Sequence, residues 1–408
     1  MSTELSGLLK GVTVVDLTSM ISGPLATMML ADHGADVIKI ESPAGDYSRQ
    51  VATRRNGYSA SFLNNNRNKR SVVLDLKQSE ALEPLKALIG RADVVIQNFR
   101  PGVAARMGVG PEQAQAINPG LIYLSISGFG FTGPFRDKPV FDPLIQALSG
   151  LTSIQGGADD ARPRLVRTIL PDKLTAMQAS QAILAALFHR ERHGGKGKVI
   201  ELSMLDTIVS FLWSSDMGGH TFVGDELETE TAQSFIDLIY ETTDGYVSIA
   251  VMQDKHWQGF LRSVHREDLI ADARFATPAL REINKNERTQ LIQALVKDQA
   301  TEQLINAMEA YDVPCSPVLT RRAMIRHPQI VANGLLGEFE HPVAGTLRQA
   351  QPPARVIGQT PFRPKPAPAL GEHTREVLAE CGLSSQEIQT LIANGAAHQA
   401  SRPGEASA

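Results

Sequence analysis

Cysteine is nearly absent: Cys315 and Cys381 are the two in a chain of 408 residues. Two cannot form a disulfide framework, and their spacing matches no metal-ligand motif. No apolar run approaches the roughly 18 residues that a bilayer span needs. The opening Met1-Ser-Thr-Glu-Leu-Ser-Gly lacks the basic and apolar regions of a secretory signal. An excess of one charge is missing as well. With 40 Lys+Arg against 44 Asp+Glu the formal net charge is −4, so there is no global basic field for bulk nucleic-acid binding. A hydrophobic share of 42% is ample for a core. The expectation is a soluble cytoplasmic enzyme of about two or three domains.

The first 130 residues alternate between two periods. Short β-branched runs stand at Val12–Leu17, Asp36–Ile40, Ser71–Leu76, Asp93–Gln97 and Leu121–Ile126. Helical stretches separate them, among them Leu25–His33, closed by Gly34, and Glu80–Ile89. This is the pattern of βαβ units on a parallel sheet, with a ligand crevice beyond the strands' carboxyl ends. Thr168–Arg192 contains the clearest helix, in which Leu174, Met177, Ile183, Leu184, Ala186 and Leu187 follow Pro171-Asp172 on an apolar face. The basic run from His189 to His193 suits the negative end of its dipole, and Gly194-Gly195 stops it. A strand at Lys198–Leu202 and a helix at Met204–Trp213 follow.

Composition changes near residue 220, where Gly224–Thr231 reads as a polar linker. From Phe235 to Thr320 a smaller α+β pattern follows, with strands at Tyr246–Val251 and Ser316–Leu319 and helices at Asn286–Lys297 and Thr301–Tyr311. The proline-rich stretch Pro352–Pro368 must be extended. A short helix is expected over Glu372–Glu380. The fold class is therefore α/β: a large Rossmann-like parallel-sheet domain over 1–224 and 330–397, and a smaller α+β domain over 225–329. Residues 398–408 are small and polar and are expected to be a disordered tail.

Several constellations carry possible chemistry. Gly128-Phe-Gly130-Phe-Thr-Gly133 spells the dinucleotide fingerprint, but Pro134 and Pro139 follow where the phosphate-binding helix should begin. The glycines then serve a tight loop or the close approach of backbone to another ligand. The patch from Asn64 to Arg70, with Arg67 and Lys69, is either a solvated face or a phosphate site. Arg100 and Arg106 would face the same crevice, with Lys138 nearby. Asp172, just before the long helix gets under way, is either an N-cap or a carboxylate nucleophile kept ionised by the helix N-terminus. His189 and His193 have metal-ligand spacing but no carboxylate-rich partner helix, and read as solvated. Cys315 reads as a small buried residue. No metal is expected.

From Leu8 to Ala397 the sequence resembles the family III CoA-transferases (the CaiB/BaiF family). The matching pieces are Gly11-Val-Thr-Val-Val-Asp-Leu-Thr with Gly23-Pro24, Gly34-Ala-Asp-Val-Ile-Lys-Ile-Glu41, and Asn68-Lys-Arg-Ser-Val-Val-Leu-Asp-Leu-Lys77. Next come Asp93-Val-Val-Ile-Gln-Asn-Phe-Arg-Pro-Gly102, Ser127-Gly-Phe-Gly-Phe-Thr-Gly-Pro134 and Gly195-Lys-Gly-Lys198. Asp244-Gly-Tyr246, Val313-Pro-Cys-Ser-Pro-Val318 and Leu370-Gly-Glu-His-Thr374 complete the series.

The resemblance implies a transferase that exchanges CoA between an acyl-CoA and a free carboxylic acid, with Asp172 as nucleophile and an acyl-aspartyl anhydride as intermediate. It implies no tightly bound cofactor: CoA is a substrate. The positions matching the family's CoA contacts are Ile21, Ser22, Leu74, Asp75, Leu76, Lys77, Asn98, Phe99 and Arg106, with Lys138 nearby. Phe99 would stack on adenine, and the cations would answer the phosphates. Succinyl-CoA or another small dicarboxyl-CoA is the expected donor, with Arg54, Arg55 and Arg167 as spare cations. Ser42 replaces an adenine-side arginine of formyl-CoA transferase, and no four-glycine loop appears between 220 and 265, which speaks against oxalate–formate exchange. In the racemase branch a histidine precedes an aspartate where this chain has Phe141-Asp142, so the racemase base pair is incomplete. A catalytically silent CoA-binding protein is the other rival. The family also implies an interlocked homodimer, with the site near the junction of one subunit's large domain and the other's small domain.

Overall fold

The structure, a computed structural model, describes residues 7–232, 238–251, 253–358 and 362–400. Its chain divides into two units, one of 1–156, 162–226 and 335–408, the other of 157–161 and 227–334. Among the described residues no helix is long and apolar enough to cross a membrane.

The larger unit is built on a seven-stranded sheet. Its strands are β1 (Thr13–Asp16), β2 (Asp36–Glu41), β3 (Lys69–Leu74), β4 (Val94–Gln97), β5 (Ile122–Ser127), β6 (Val199–Ser203) and β7 (Ala397–His398). They lie in the order β7-β3-β2-β1-β4-β5-β6, and every neighbouring pair is parallel except β7 with β3. Side chains alternate strictly between two apolar clusters, as strand geometry requires. Val15, Ile38, Val72, Val95 and Tyr123 enter one cluster, while Val14, Val37, Val94 and Ile122 enter the other. Covering both faces is what a parallel sheet needs, and it explains why these strands read as continuous apolar runs.

Helix α1 (Ser22–Asp32) and the long helix α4 (Leu170–Arg192) cover the second cluster with Ala26, Leu30, Ala176, Ala179 and Ile183. Helix α2 (Leu82–Arg91) covers the first. The long helix lies within the expected stretch, and Ile183, Ala186 and Leu187 of its expected apolar face are buried, but the rest of that face differs. Met177 and Leu184 are exposed, whereas Ala176, Ala179, Ser180 and Ala186 are buried. Small side chains let α4 lie close against α1, so the large residues point away. At its far end Arg190 pairs with Asp93 at 2.8 Å and donates to the carbonyl of Gly120, which fixes the helix to the sheet. Two further helices matter for the site: α3 (Asp142–Leu148) and α5 (Met204–Trp213).

Strand β3 ends at Leu74, not Leu76, because the Leu76 amide turns back onto the Leu74 carbonyl at 3.1 Å. Residues 398–400 are ordered where a disordered tail is expected. A helix over Ser385–Ala393, closed at its start by a capping box of Ser384 and Glu387, returns the chain so that His398 pairs with Val73 on the sheet edge. Residues 401–408 of the expected tail lie outside the described residues.

The smaller unit has its own antiparallel three-stranded sheet of Cys315–Pro317, Tyr246–Ile249 and Ile239–Glu241. Trp257, Phe260, Phe275, Ile292, Leu304 and Met308 form its core. Within it Ala158 bridges Thr231, a pairing of distant segments that periodicity does not reveal. Phe235, the expected start of the small-domain pattern, lies outside the described residues.

Candidate active site

The strand order reverses between β1 and β4, so the loops after these strands part and leave a crevice. Ser19–Ser22 follows β1, Asn98–Pro101 follows β4 and Ser127–Phe129 ends β5, and all three segments line one cavity of about 210 Å³. Asp172 lines it too, with Arg136, Lys138, Phe141, Asp142 and Met204. The amide of Asn98 clamps the diverging loops by accepting from the Ser19 amide at 3.1 Å and donating to its carbonyl at 2.9 Å.

Asp172 sits in the first turn of α4, after Pro171, and Ile169 offers no side-chain cap. Its own amide donates to Oδ2 of the buried Asp142 at 3.2 Å, while Gln146 Nε2 donates to Asp142 Oδ1 at 2.7 Å. Across the cavity Ser22 is the first residue of α1, and its hydroxyl donates to Oδ1 of Asp172. The positive ends of α1 and α4 thus meet at this carboxyl group. The helix N-termini do not leave it strongly acidic, however. Burial pushes the Asp172 carboxyl above its usual range, Ser22 opposes the shift, and the charge of Asp142 adds to it. Asp142 is itself pushed up by burial, with Gln146 opposing.

The structure brings together Ile21, Ser22, Asn98, Phe99 and Lys138 with Asp172. Phe99 also packs against the first core cluster, and the Lys138 ammonium stands 4.0 Å over the ring of Phe135. The other expected contacts do not line this cavity. Leu74 is buried in the sheet, and Asp75, Leu76 and Lys77 turn away just past the carboxyl end of β3. They share the sheet edge of the cavity because β3, β1 and β4 run parallel. Arg106 is exposed at the end of the short helix Val103–Arg106.

Within the cationic patch Arg67 and Lys69 are taken up by buried ion pairs, while Arg70 stays partly exposed at the sheet edge. Arg67 is buried against Asp32 at 2.6 Å, Lys69 against Asp16 at 3.0 Å, and Arg70 pairs with Asp36, Glu376 and Glu380. Arg54, Arg55 and Arg167 also lie outside the cavity lining; Arg55 donates to the Thr346 carbonyl and Arg54 to that of Gly57. In the glycine motif, Gly128 carries no side chain because a Cβ there would run into Val140, another lining residue. The Gly130 amide donates to Ser127 Oγ at 3.0 Å, which removes it as an oxyanion donor. Gly133 leads into a loop, and the next helix is α3. His189 and His193 stack with ring centroids 4.5 Å apart. Cys315 lies half-buried in its strand.

Sequence reasoning missed the hold of Asp142 on the Asp172 amide. Its local signal was Asp-Pro at a helix start; its partner lies 30 residues away. It also missed Met20, whose φ of 71° is rare for a residue with a side chain.

The chain has known relatives in sequence and in fold. The family description CoA-transferase family III matches residues 9–374. The chain is 32% identical over 400 residues to succinyl-CoA:glutarate CoA-transferase of Mus musculus, covering 96% of this chain and 90% of that protein. It is 34% identical over 383 residues to succinate–glutarate CoA-transferase of Agrobacterium fabrum, covering 91% and 95%. The crystal structure of a CaiB/BaiF family protein from Brucella suis superposes with a TM-score of 0.81 at 30% identity, over 92% of this chain and 99% of that one. With the family match spanning nearly the whole chain and Asp172 seated at the switch point of the sheet, this protein belongs to the family III CoA-transferases.

Proposed function

We propose that the protein exchanges CoA between an acyl-CoA and a free carboxylic acid, with Asp172 as nucleophile. The observation that carries this reading is the Asp172 carboxyl itself. It lines the switch-point cavity, Ser22 holds Oδ1, and burial raises its basicity. A carboxylate poorly solvated by water is a better nucleophile, and with Oδ1 held by the Ser22 hydroxyl we assign attack to Oδ2.

Oδ2 attacks the thioester carbonyl, the C–S bond breaks, and CoA leaves as thiolate while an acyl-aspartyl anhydride forms. The thiolate returns to the aspartyl carbonyl, which releases the donor acid and leaves an aspartyl-CoA thioester. The acceptor carboxylate attacks that thioester, expels the thiolate and forms a second anhydride. Thiolate attack on the acceptor's acyl carbon then yields the new acyl-CoA and frees Asp172. Each step trades one activated carboxyl for another, so the thioester's free energy is kept if water is excluded.

Ile21, Ser22, Asn98, Phe99 and Lys138 line the cavity and would meet CoA there; Asp75, Leu76, Lys77 and Arg106 would serve the nucleotide portion farther along the same sheet edge, whereas Leu74 is sealed in the core and makes no contact. We assign a small dicarboxyl-CoA such as succinyl-CoA as donor. The relatives named for succinyl-CoA and glutarate support this, as do Arg100, Arg136 and Lys138 in the lining. Nothing favours racemisation: among the described residues lining the cavity none is histidine, and Phe141 stands 69% exposed where that branch has its base. A homodimer fits the exposed Met177, Phe188, Phe211 and Trp213 on α4 and α5.

Mass spectrometry after incubation with succinyl-CoA and hydroxylamine tests the nucleophile. A hydroxamate on Asp172 is expected, and Asp172→Ala should abolish exchange of labelled CoA between acids. Full exchange by Asp172→Ala would sink the assignment.

A further inference from the structure

Several sequence motifs that the cavity does not use carry charges, and the fold brings those charges together. Asp16 closes β1, Lys39 and Glu41 lie on β2, Asp46 and Arg49 follow it, and Lys69 opens β3. Asp16, Lys39, Glu41, Asp46 and Lys69 are buried. The acids and bases pair as Lys69 with Asp16 at 3.0 Å, Lys39 with Asp46 at 2.9 Å and Arg49 with Glu41 at 2.7 Å. Buried ion pairs seldom repay their desolvation in stability alone, so a cluster of them calls for another role.

The cluster's hydrogen bonds converge on the turn between β1 and α1. Asp16 Oδ1 accepts from both the amide and the hydroxyl of Thr18, and Oδ2 accepts from Thr27 Oγ1 at 2.7 Å. Lys69 Nζ donates to the carbonyl of Pro24 at 2.8 Å and to Asn66 Oδ1 at 2.8 Å. Lys39 Nζ donates to the Thr18 carbonyl at 2.8 Å. Asp46 Oδ1 accepts from the amide of Met20 at 3.1 Å, where the backbone takes its left-handed conformation. Gly23 completes the turn, because a Cβ there would overlap the side chain of Thr18. Thr18, Met20 and Pro24 are thus tied to buried charges, Ser19 is tied to Asn98, and Ile21 and Ser22 are left to face the cavity.

We propose that this cluster, centred on Asp16 and Lys69 with Lys39 and Asp46 beside it, is a positioning device that sets the Thr18–Pro24 turn and through it Ser22 against Asp172. The proposal rests on the reading of Asp172 as nucleophile. Both ends of the turn are bound to groups that cannot shift without losing a partner in the interior. Ser22 therefore meets the Asp172 carboxyl with no reorganisation at the moment of reaction, the condition under which a hydrogen-bond donor is most effective. Burial pushes the Lys69 ammonium down to about 8 against the pull of Asp16, so the pair is charged at neutral pH.

The test compares wild type with the double variant Asp16→Asn/Lys69→Met, which removes one ion pair and leaves no lone charge from it. Exchange is measured with an acyl-CoA and acid that wild type accepts, succinyl-CoA and glutarate first. A native circular dichroism spectrum and a kcat lower by about 100-fold are expected, with KM rising far less than kcat falls, since only Ile21 and Ser22 of the CoA-side residues lie on this turn. A folded double variant that keeps kcat within about threefold overturns the proposal. So does a parallel loss of kcat and CoA affinity, which is the mark of general loosening. If the double variant does not fold, the isosteric Thr18→Val decides, since it takes one hydroxyl from Asp16 and leaves every charge in place. There kcat should fall about tenfold with KM unchanged, and an unchanged kcat overturns the proposal. Asp172→Ala run in parallel separates the two readings. Exchange by that variant removes the nucleophile assignment, whereas an inactive Asp172→Ala beside a fully active cluster variant removes the positioning role alone.

Discussion

The hydroxyl of Ser22 donates to Oδ1 of Asp172, which ties the first residue of one helix to the first turn of another. The bond holds one of the two carboxylate oxygens. Ser22→Ala should therefore reduce kcat for CoA exchange about 10- to 100-fold with little change in KM, since a charge-assisted hydrogen bond is lost where charge is moving. Steady-state kinetics on the folded variant checks this, and a proportional rise in KM would count against the assignment.

With Asp172 read as the nucleophile, the same contact should shift the acid limb of activity. Burial raises the Asp172 carboxyl, and Ser22 pulls it back down. The reacting form is the anion, so exchange should fall as pH drops through a value above the ordinary aspartate range. In Ser22→Ala the limb should move higher still. A pair of pH–rate profiles decides, and an unmoved limb would show that another group titrates.

Stability should run the opposite way. A carboxyl whose pKa is raised on folding binds more protons in the native than in the unfolded state across the window between its two pKa values. Its effect on stability is therefore lost as pH rises through that window. Asp172→Asn should melt at a higher temperature than wild type at neutral pH, with the gap closing at acid pH where both side chains are neutral. Thermal melts at pH 7 and pH 4 test the sign, and a variant less stable at neutral pH would contradict it.

The parts of this architecture legible in the sequence are those governed by local pattern. The parallel strands announce themselves because Val14-Val15, Val37-Ile38 and Val94-Val95 must be apolar on both faces. The switch-point crevice then follows from the alternation of strands and helices. What the sequence hides depends on partners far along the chain. Lys69 reads as surface charge until Asp16, 53 residues earlier, is brought beside it. Asp142 reads as a helix-starting residue until the amide of Asp172 meets it. Met177 and Leu184 read as core because apolar spacing does not reveal that α4 packs through alanines.

Lys138 offers a test of the substrate side. It lines the cavity beside Arg136, and its ammonium lies over the ring of Phe135. Lys138→Met keeps the stem and removes the charge, so KM for acyl-CoA should rise about fivefold or more while kcat changes little. The rise should shrink at high salt, where wild type itself binds the anionic substrate less tightly. Equal KM values at low salt would place the CoA phosphates elsewhere.

Gly128 tests the shape of the cavity. It ends the strand-to-loop passage after β5, where any Cβ would run into the side chain of Val140. Gly128→Ala should destabilise the protein by about 1–3 kcal/mol in urea denaturation, because the loop cannot shift without disturbing the backbone next to the cavity. Val140→Ala alone should cost less, and the double variant Gly128→Ala/Val140→Ala should recover part of the loss, since the clash is between these two positions. Additive losses in the double variant would mean that the close approach to Val140 is not what requires glycine here. The first outcome would also explain why the glycine-rich segment can wall a CoA site without the helix that a dinucleotide fingerprint demands.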